Sequence, residues 1–297
     1  MKRILIFAAS LLLWALCGVS AAAQDENLKI KFLGTGAADW VKPRPDGEFR
    51  RNASILVDDS VLVDLTYSTL DMIPEGVHPE VIFYTHSHGD HFQPEAALKL
   101  GIKKAYVGAT WVERARKNIE DASQKLGLPM PQIVPLNLQD KATESGITFT
   151  ALPANHGTQM GNEQCLIYLL EKNGTRVLYA TDTGGLMADA AQPIGIDIHN
   201  WTPNPIHGLI MECTVGWDEE DYRLFCHSNI HTVVRTHNVL TKTKRYLPAP
   251  GQPVYLTHIG EELHGSQAEM DAYLPSFLKA PVDGDVVVFN HNHVKNK

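Results

Sequence analysis

Short β-branched and aromatic runs recur along the chain and predict strands. The first set comprises Leu28 to Leu33, Ser54 to Val57, Val61 to Leu65 and Val81 to Thr85. Helical stretches are expected at Pro94 to Leu100 and Thr110 to Leu126. Further strands are predicted at Tyr106-Val107, Ile133 to Pro135, Ile147 to Leu152, Cys165 to Glu171 and Arg176 to Thr181. A third set comprises Gly208 to Glu212, Val254 to Thr257 and Val286 to Phe289. Between these last strands, Ser228 to Lys242 has helical length and apolar spacing at Ile230, Val233, Val234 and Leu240. Two strand-rich halves, each with helices, predict an α/β fold with two sheets packed face to face and helices outside. That is a four-layer α/β/β/α sandwich, with loops from both halves meeting at one edge.

The start of the 297-residue chain reads as an address rather than as part of this fold. Lys2-Arg3 is a charged leader, Ile4 to Leu16 an apolar stretch too short for a membrane span, and Ala21-Ala22-Ala23 a small-residue cleavage site. The expectation is a signal peptide over 1–23, a periplasmic or secreted product, and one domain over 24–297 with no membrane span in the mature chain. Cleavage takes the formal net charge from −8 to about −10. That balance argues against a general nucleic-acid binder, which needs a basic face, and suits a site that holds two divalent cations. Cys165, Cys213 and Cys226 remain, with no CxxC spacing, so at most one bridge can form. Cys165 and Cys213 lie in apolar runs and read as buried thiols; whether Cys213 pairs with Cys226 stays open.

The chemistry is concentrated in His86-Ser87-His88-Gly89-Asp90-His91, four metal-binding side chains in six residues. This stretch leaves the C-terminal end of a predicted strand, where α/β proteins usually place their chemistry. Alternation sends His86 and His88 to one side, and Gly89 lets the chain turn so that Asp90 and His91 face a second centre. Imidazole nitrogen with carboxylate oxygen suits zinc, and also manganese or iron. Three other strand ends each present one ligand beside a glycine: His156 before Gly157, Asp182 before Thr183-Gly184, and His258 before Ile259-Gly260. Each is weak alone; in register with the first motif they point to a two-metal site.

His86-x-His88-x-Asp90-His91, His156, Asp182 and His258 resemble the ligand set of the metallo-β-lactamase fold superfamily, over essentially the whole mature chain. The resemblance implies one metal held by His86, His88 and His156, and another by Asp90, His91 and His258, with Asp182 bridging. The expected cofactors are two divalent ions, zinc first and manganese second. The lactam-hydrolysing branch usually lacks the histidine of the Asp-His pair and the bridging aspartate, and this chain has both.

Leu209 to Thr214, containing Glu212, is similar to the strand-plus-acidic motif of the ribonuclease Z branch, which includes phosphoribosyl cyclic phosphodiesterases. Phe32 to Gly36, Arg51 to Ser54 and Thr257 to Gly260 also resemble this branch. His227-Ser228-Asn229 resembles its His-Ser-Thr motif, with Asn229 as a departure. Ribonuclease Z enzymes typically insert a long arm between the residues matching His156 and Asp182 to grip transfer RNA. Here that interval reads as a hairpin around Asn173-Gly174, so transfer RNA is not expected as a partner and a small anionic substrate is.

The resemblance implies a phosphodiesterase acting on a small or cyclic phosphodiester through a metal-bridging hydroxide. Asp90 would orient the hydroxide. His227, with an unperturbed pKa near 6.5, would protonate the leaving alkoxide, and Glu212 would orient its ring. The alternatives are hydrolysis of a carboxylic ester, lactone or β-lactam at the same site, and a non-catalytic metal- or ligand-binding protein. A homodimer is implied only by the habit of the family.

Weaker candidates complete the inventory. Gly34-Thr35-Gly36 offers either backbone N–H groups to a phosphate or a tight turn. Arg44, Arg50 and Arg51 are basic groups for an anionic substrate, His231 is a fallback for His227, and His264 is expected to line the site. Trp40, Trp201 and Trp217 are candidate pocket walls, and His291 and His293 lie in a polar tail.

Overall fold

The computed structural model describes residues 27–159, 161–197 and 202–291. The expected signal peptide, Trp201 and His293 lie outside the described residues. In chain order the strands are β1 (Leu28–Gly34), β2 (Ser54–Val57), β3 (Val61–Val63), β4 (Val81–Phe83), β5 (Lys104–Gly108), β6 (Gln132–Leu136), β7 (Lys141–Glu144), β8 (Ile147–Pro153), β9 (Leu166–Lys172), β10 (Thr175–Ala180), β11 (Gly208–Glu212), β12 (Val254–Thr257), β13 (Leu278–Lys279) and β14 (Val286–Phe289). The helices are α1 (Pro94–Leu100), α2 (Val112–Leu126), α3 (Ala188–Ala191), α4 (Ile230–Lys242) and α5 (Gln267–Tyr273). None of the described helices is long and apolar enough to cross a membrane.

The strands form two seven-stranded sheets, ordered β14-β1-β2-β3-β4-β5-β6 and β13-β12-β11-β10-β9-β8-β7. Between them lies a core built from both: Phe83 stacks at 4.2 Å on Tyr106 of its own sheet and at 4.1 Å on Phe149 of the other. Outside the first sheet, α1 and α2 bury Ala96, Ala97, Ala115 and Ile119 against Leu62 and Ile82. Outside the second, Ala190 of α3, Ile230, Val233 and Leu240 of α4 and Met270 of α5 pack on Leu178, Leu209 and Leu256. The expected α/β/β/α sandwich is therefore the observed one.

Local chemistry explains the element ends. Pro94 opens α1, where a missing N–H costs nothing, and Gly101 closes it at φ 88°. Strands β10 and β11 are buried at every position, as befits parallel neighbours covered on both faces. Asn173 and Gly174 turn the β9–β10 hairpin with φ of 48° and 87°, the pair of positive angles that a two-residue hairpin loop requires. No arm is inserted there.

Four elements escape the sequence pattern. Strand β7 is Lys-Ala-Thr-Glu, a polar edge strand with alternating exposure, and its signal is swamped by its charge. Strand β13 has only two residues, and α3 only four. Helix α5 announces itself through a Ser266–Glu269 capping box rather than through an apolar stripe. Helix α4 starts two residues after the predicted Ser228 because Asn229 is its cap: the side chain accepts from Thr232 N at 2.9 Å. Asparagine caps as well as threonine does, which accounts for the departure at this position. Cys165, Cys213 and Cys226 are free thiols, the first two buried as expected.

Candidate metal centre

The candidate ligands converge because six strands end at one edge of the sandwich. β3 and β4 run parallel, as do β10, β11 and β12, and β8 shares the direction of β10 across antiparallel β9. Their C-terminal ends deliver Asp64, His86 to His91, His156, Asp182, Glu212 and His258. Asp64, Asp182 and His258 adopt φ of 57°, 45° and 52°, a left-handed conformation that turns each side chain sharply off its strand. Such strain persists where the surroundings over-determine it, and it gathers at functional sites.

His86 Nε2, His88 Nδ1 and His156 Nε2 form one group, with separations of 2.9 Å and 3.2 Å measured from His88 Nδ1. Asp90, His91 and His258 form a second: Asp90 Oδ2 is 3.3 Å from both His91 Nε2 and His258 Nε2. Asp182 stands between them, with Oδ2 2.9 Å from His91 Nε2 and Oδ1 3.4 Å from His258 Nε2 and 3.8 Å from His156 Nε2. A tetrahedral ion with Zn–N bonds of about 2.0–2.1 Å would hold its nitrogens roughly 3.3 Å apart, close to these separations.

The proton inventory shows that the groups fit cations. His91 Nδ1 donates to Asp64 Oδ2 at 2.8 Å, and His156 Nδ1 donates to the carbonyl of Cys226 at 3.1 Å. The Thr85 hydroxyl gives its only proton to Asp64 Oδ2 at 2.7 Å, so it accepts from His86 Nδ1 at 3.0 Å. Likewise the Thr214 hydroxyl donates to Glu212 Oε2 at 2.7 Å and accepts from His258 Nδ1 at 2.8 Å. Four rings are thereby fixed with Nε2 aimed inward, a pattern typical of metal-bound histidine. His91 Nε2 is buried and without a hydrogen-bond partner, although it faces two carboxylates. Burial works against a charged His91, but Asp182, Asp90 and Asp64 override it and raise the pKa well above 6.5, so the pocket favours positive charge there. Burial holds His86 and His156 below 6.5, hence neutral and able to ligate.

Glu212, at the end of β11, is fully buried and accepts from Thr183 N, Ser228 N and His227 Nδ1 through Oε1, the last at 3.1 Å. It thus ties three loops together besides orienting His227. The His227 ring stacks at 5.4 Å on His258 and meets His156 edge-on at 4.8 Å, so it lies over the junction of the two groups.

Other candidates fall elsewhere. His231 is half-exposed and pairs with Glu219 at 3.2 Å, on the outer side of α4, so it is no fallback for His227. His264 does not line the site; it is buried behind Cys213, whose carbonyl it meets at 2.5 Å. Arg50 is buried and held by Thr35 and Pro281, Arg44 by carbonyls of residues 261 to 265, and Arg51 by Asp71, so all three serve the scaffold. The Gly34-Thr35-Gly36 turn spends Thr35 N on Asp283 and Gly36 N on Arg51, leaving neither for a phosphate. Trp40 is buried, while Trp217 packs on His231 and Tyr273; His291 lies by Thr175, remote from the ligands in the chain fold.

Sequence reasoning missed Asp64, Thr214 and Glu163. Reading β3 through to Leu65 hid Asp64 inside a strand that ends at Val63, although the rule of a polar residue after an apolar run finds it. Thr214 carries no signal of its own, because its role comes from joining neighbouring Glu212 to His258, 44 residues away.

A family model described as a beta-lactamase superfamily domain matches residues 72–259. A sequence search finds no match among curated proteins. Among solved structures, a crystal structure of a new diphosphatase from the PhnP family is similar with TM-score 0.63 at 18% identity, covering 89% of this chain and 97% of that one. Zn2+-bound PqqB from Methylobacterium extorquens gives TM-score 0.64 at 14% identity, covering 87% and 99%. A long-form RNase Z from yeast gives TM-score 0.56 at 14% identity, covering 91% of this chain and 42% of that one. At these identities the likeness is one of fold, and the neighbours include the branch that the motifs resemble. With the model spanning more than half its length, on this sandwich and with these ligand groups at its edge, the chain belongs to the beta-lactamase superfamily.

Proposed function

We propose that the protein is an exported binuclear metal-dependent hydrolase that cleaves a small or cyclic phosphodiester. The observation that carries this reading is the Glu212–His227 pair set over two adjoining ligand groups. Two divalent cations, zinc by the nitrogen-rich donor set, would be held by His86, His88 and His156 and by Asp90, His91 and His258 with Asp182 shared, and would supply Lewis-acid polarisation and acidified water.

The residues of the chain supply the remainder. Glu212 occupies His227 Nδ1, so Nε2 would be the nitrogen that meets a substrate. Burial opposes a charged ring, but Glu212, then Asp182 and Asp90, raise its pKa to about 9. A protonated His227, held by Glu212, would give its proton to a departing alkoxide, which leaves badly without one. Asp90 would, besides holding one ion, accept a hydrogen bond from the attacking water. A diphosphatase and an RNase Z among the structures of similar fold support phosphoryl chemistry. The short β9–β10 hairpin and the acidic balance speak against transfer RNA. Export rests on the leader-like character of residues 1–23.

The test is to purify the mature protein, measure bound metal, and assay bis-(p-nitrophenyl) phosphate beside a chromogenic cephalosporin. About two ions per chain with phosphodiester turnover supports the proposal, and a panel of cyclic phosphates then narrows the substrate. Cephalosporin turnover alone overturns it.

A further inference from the structure

Among the five imidazoles of the two ligand groups one differs from the rest. His86, His91, His156 and His258 are each fixed by an acceptor at Nδ1, whereas His88 points Nδ1 itself into the first ligand group. Among the described residues, its contacts are with the two other rings of that group, His86 and His156, rather than with an orienting acceptor at its second nitrogen.

The backbone beside it is gripped instead. Glu163 lies in the same β8–β9 loop as His156, and its side chain is fully buried. It accepts from Ser87 N at 2.7 Å and from Ser87 Oγ at 2.6 Å, and so pins the residue between His86 and His88. Thr158 Oγ1 adds a third bond at 3.1 Å. Arg114 of α2 neutralises the carboxylate and also donates to Ser87 Oγ at 2.9 Å. The guanidinium lies 5.8 Å from the Trp111 ring, which anchors the cluster to the start of α2.

We infer that Glu163 is a positioning residue for the His86/His88/His156 group, acting through Ser87 to hold the two loops that carry these ligands in one fixed relation. This inference rests on the proposed metal-binding function. Three imidazoles attract a cation less than a group containing carboxylates does, so this group gains most from ligands held in place in advance. A buried carboxylate with two bonds to one residue is worth keeping there only if that residue's placement matters, because an ion pair as such adds little to stability.

The experiment compares the full-length protein with Glu163→Gln and with the milder Ser87→Ala. Zinc is titrated in competition with a chromophoric chelator, with His88→Ala and His258→Ala marking which ion belongs to which group. Thermal unfolding of the chelator-treated proteins is followed in parallel. Glu163→Gln is expected to weaken the ion of the three-histidine group about 10–100-fold while the other ion changes less than about threefold. Ser87→Ala should weaken the same ion by a smaller factor with little change in metal-free unfolding. Wild-type affinity for both ions in both variants overturns the inference and leaves the proposed function standing. Equal loss of both ions together with a large fall in metal-free stability overturns it too, and makes Glu163 an ordinary scaffold residue. If the wild-type protein takes up no zinc, the proposed function itself fails.

Discussion

Thr214 Oγ1 lies 2.8 Å from His258 Nδ1, and it settles which face of that ring is left for a ligand. The hydroxyl proton goes to Glu212 Oε2 at 2.7 Å, so the ring must donate and His258 Nε2 carries the lone pair. One threonine therefore couples the carboxylate that orients His227 to the ring at the second ligand group. Thr214→Val keeps the shape and removes both bonds. The expected result is a loss of roughly 10-fold or more in affinity for one of two ions, restored by Thr214→Ser and read by chelator competition.

Asp64 does the corresponding work for His91, with the added role of receiving Thr85 N at 2.8 Å. Asp64→Asn retains the size but offers one acceptor oxygen where the site uses two. Zinc affinity should fall about 10–100-fold, and the folded protein should lose on the order of 1–3 kcal/mol because a buried donor is left unpaired. Chemical denaturation with and without chelator separates the two effects.

His227→Ala should spare metal content while cutting turnover about 100-fold or more for substrates with alkoxide leaving groups. For p-nitrophenyl esters, whose leaving group departs without a proton, the loss should be much smaller. Equal losses for both leaving groups would remove His227 as the proton donor, and loss of bound metal would make it a ligand.

His264 gives the scaffold a pH dependence separable from metal release. Burial lowers its pKa from 6.5 to about 4, with the Cys213 carbonyl opposing and Arg50 and Arg44 adding to the fall. The neutral ring is the one the folded state holds, donating to Cys213 and accepting from Tyr273 Oη. Between these pH values the unfolded chain binds more protons, so this contribution is fully present above about 6.5 and is lost as pH falls towards 4. The difference amounts to roughly 3 kcal/mol. Chelator-treated His264→Gln should show a flatter stability profile over this window than wild type, and identical profiles would refute the argument.

Strand ends were the most legible part of the chain. Runs such as Val177 to Ala180 and Val254 to Leu256 are apolar on both faces, and the polar residue that follows has nowhere to go but the edge, so Asp182 and His258 could be picked out together. His86 to His91 needed even less, because that density of ligands is rarely spent on anything but a cation. Arginines misled for the opposite reason: Arg50 reads as a free surface charge, yet its partners come from Thr35, Gln267 and Pro281, none of which periodicity brings near it.

The sequence by itself determined the two-sheet sandwich, the edge on which its ligands gather, and the residue types available there. These follow from local periodicity and from side-chain chemistry. The tertiary structure alone decided which nitrogen of each histidine faces inward and which groups hold it. That choice depends on single acceptors, Asp64 for His91, the Cys226 carbonyl for His156 and Thr214 for His258, brought from 27, 70 and 44 residues away. A hydrogen bond is satisfied over a few tenths of an ångström, and no pattern along the chain specifies distance to that precision.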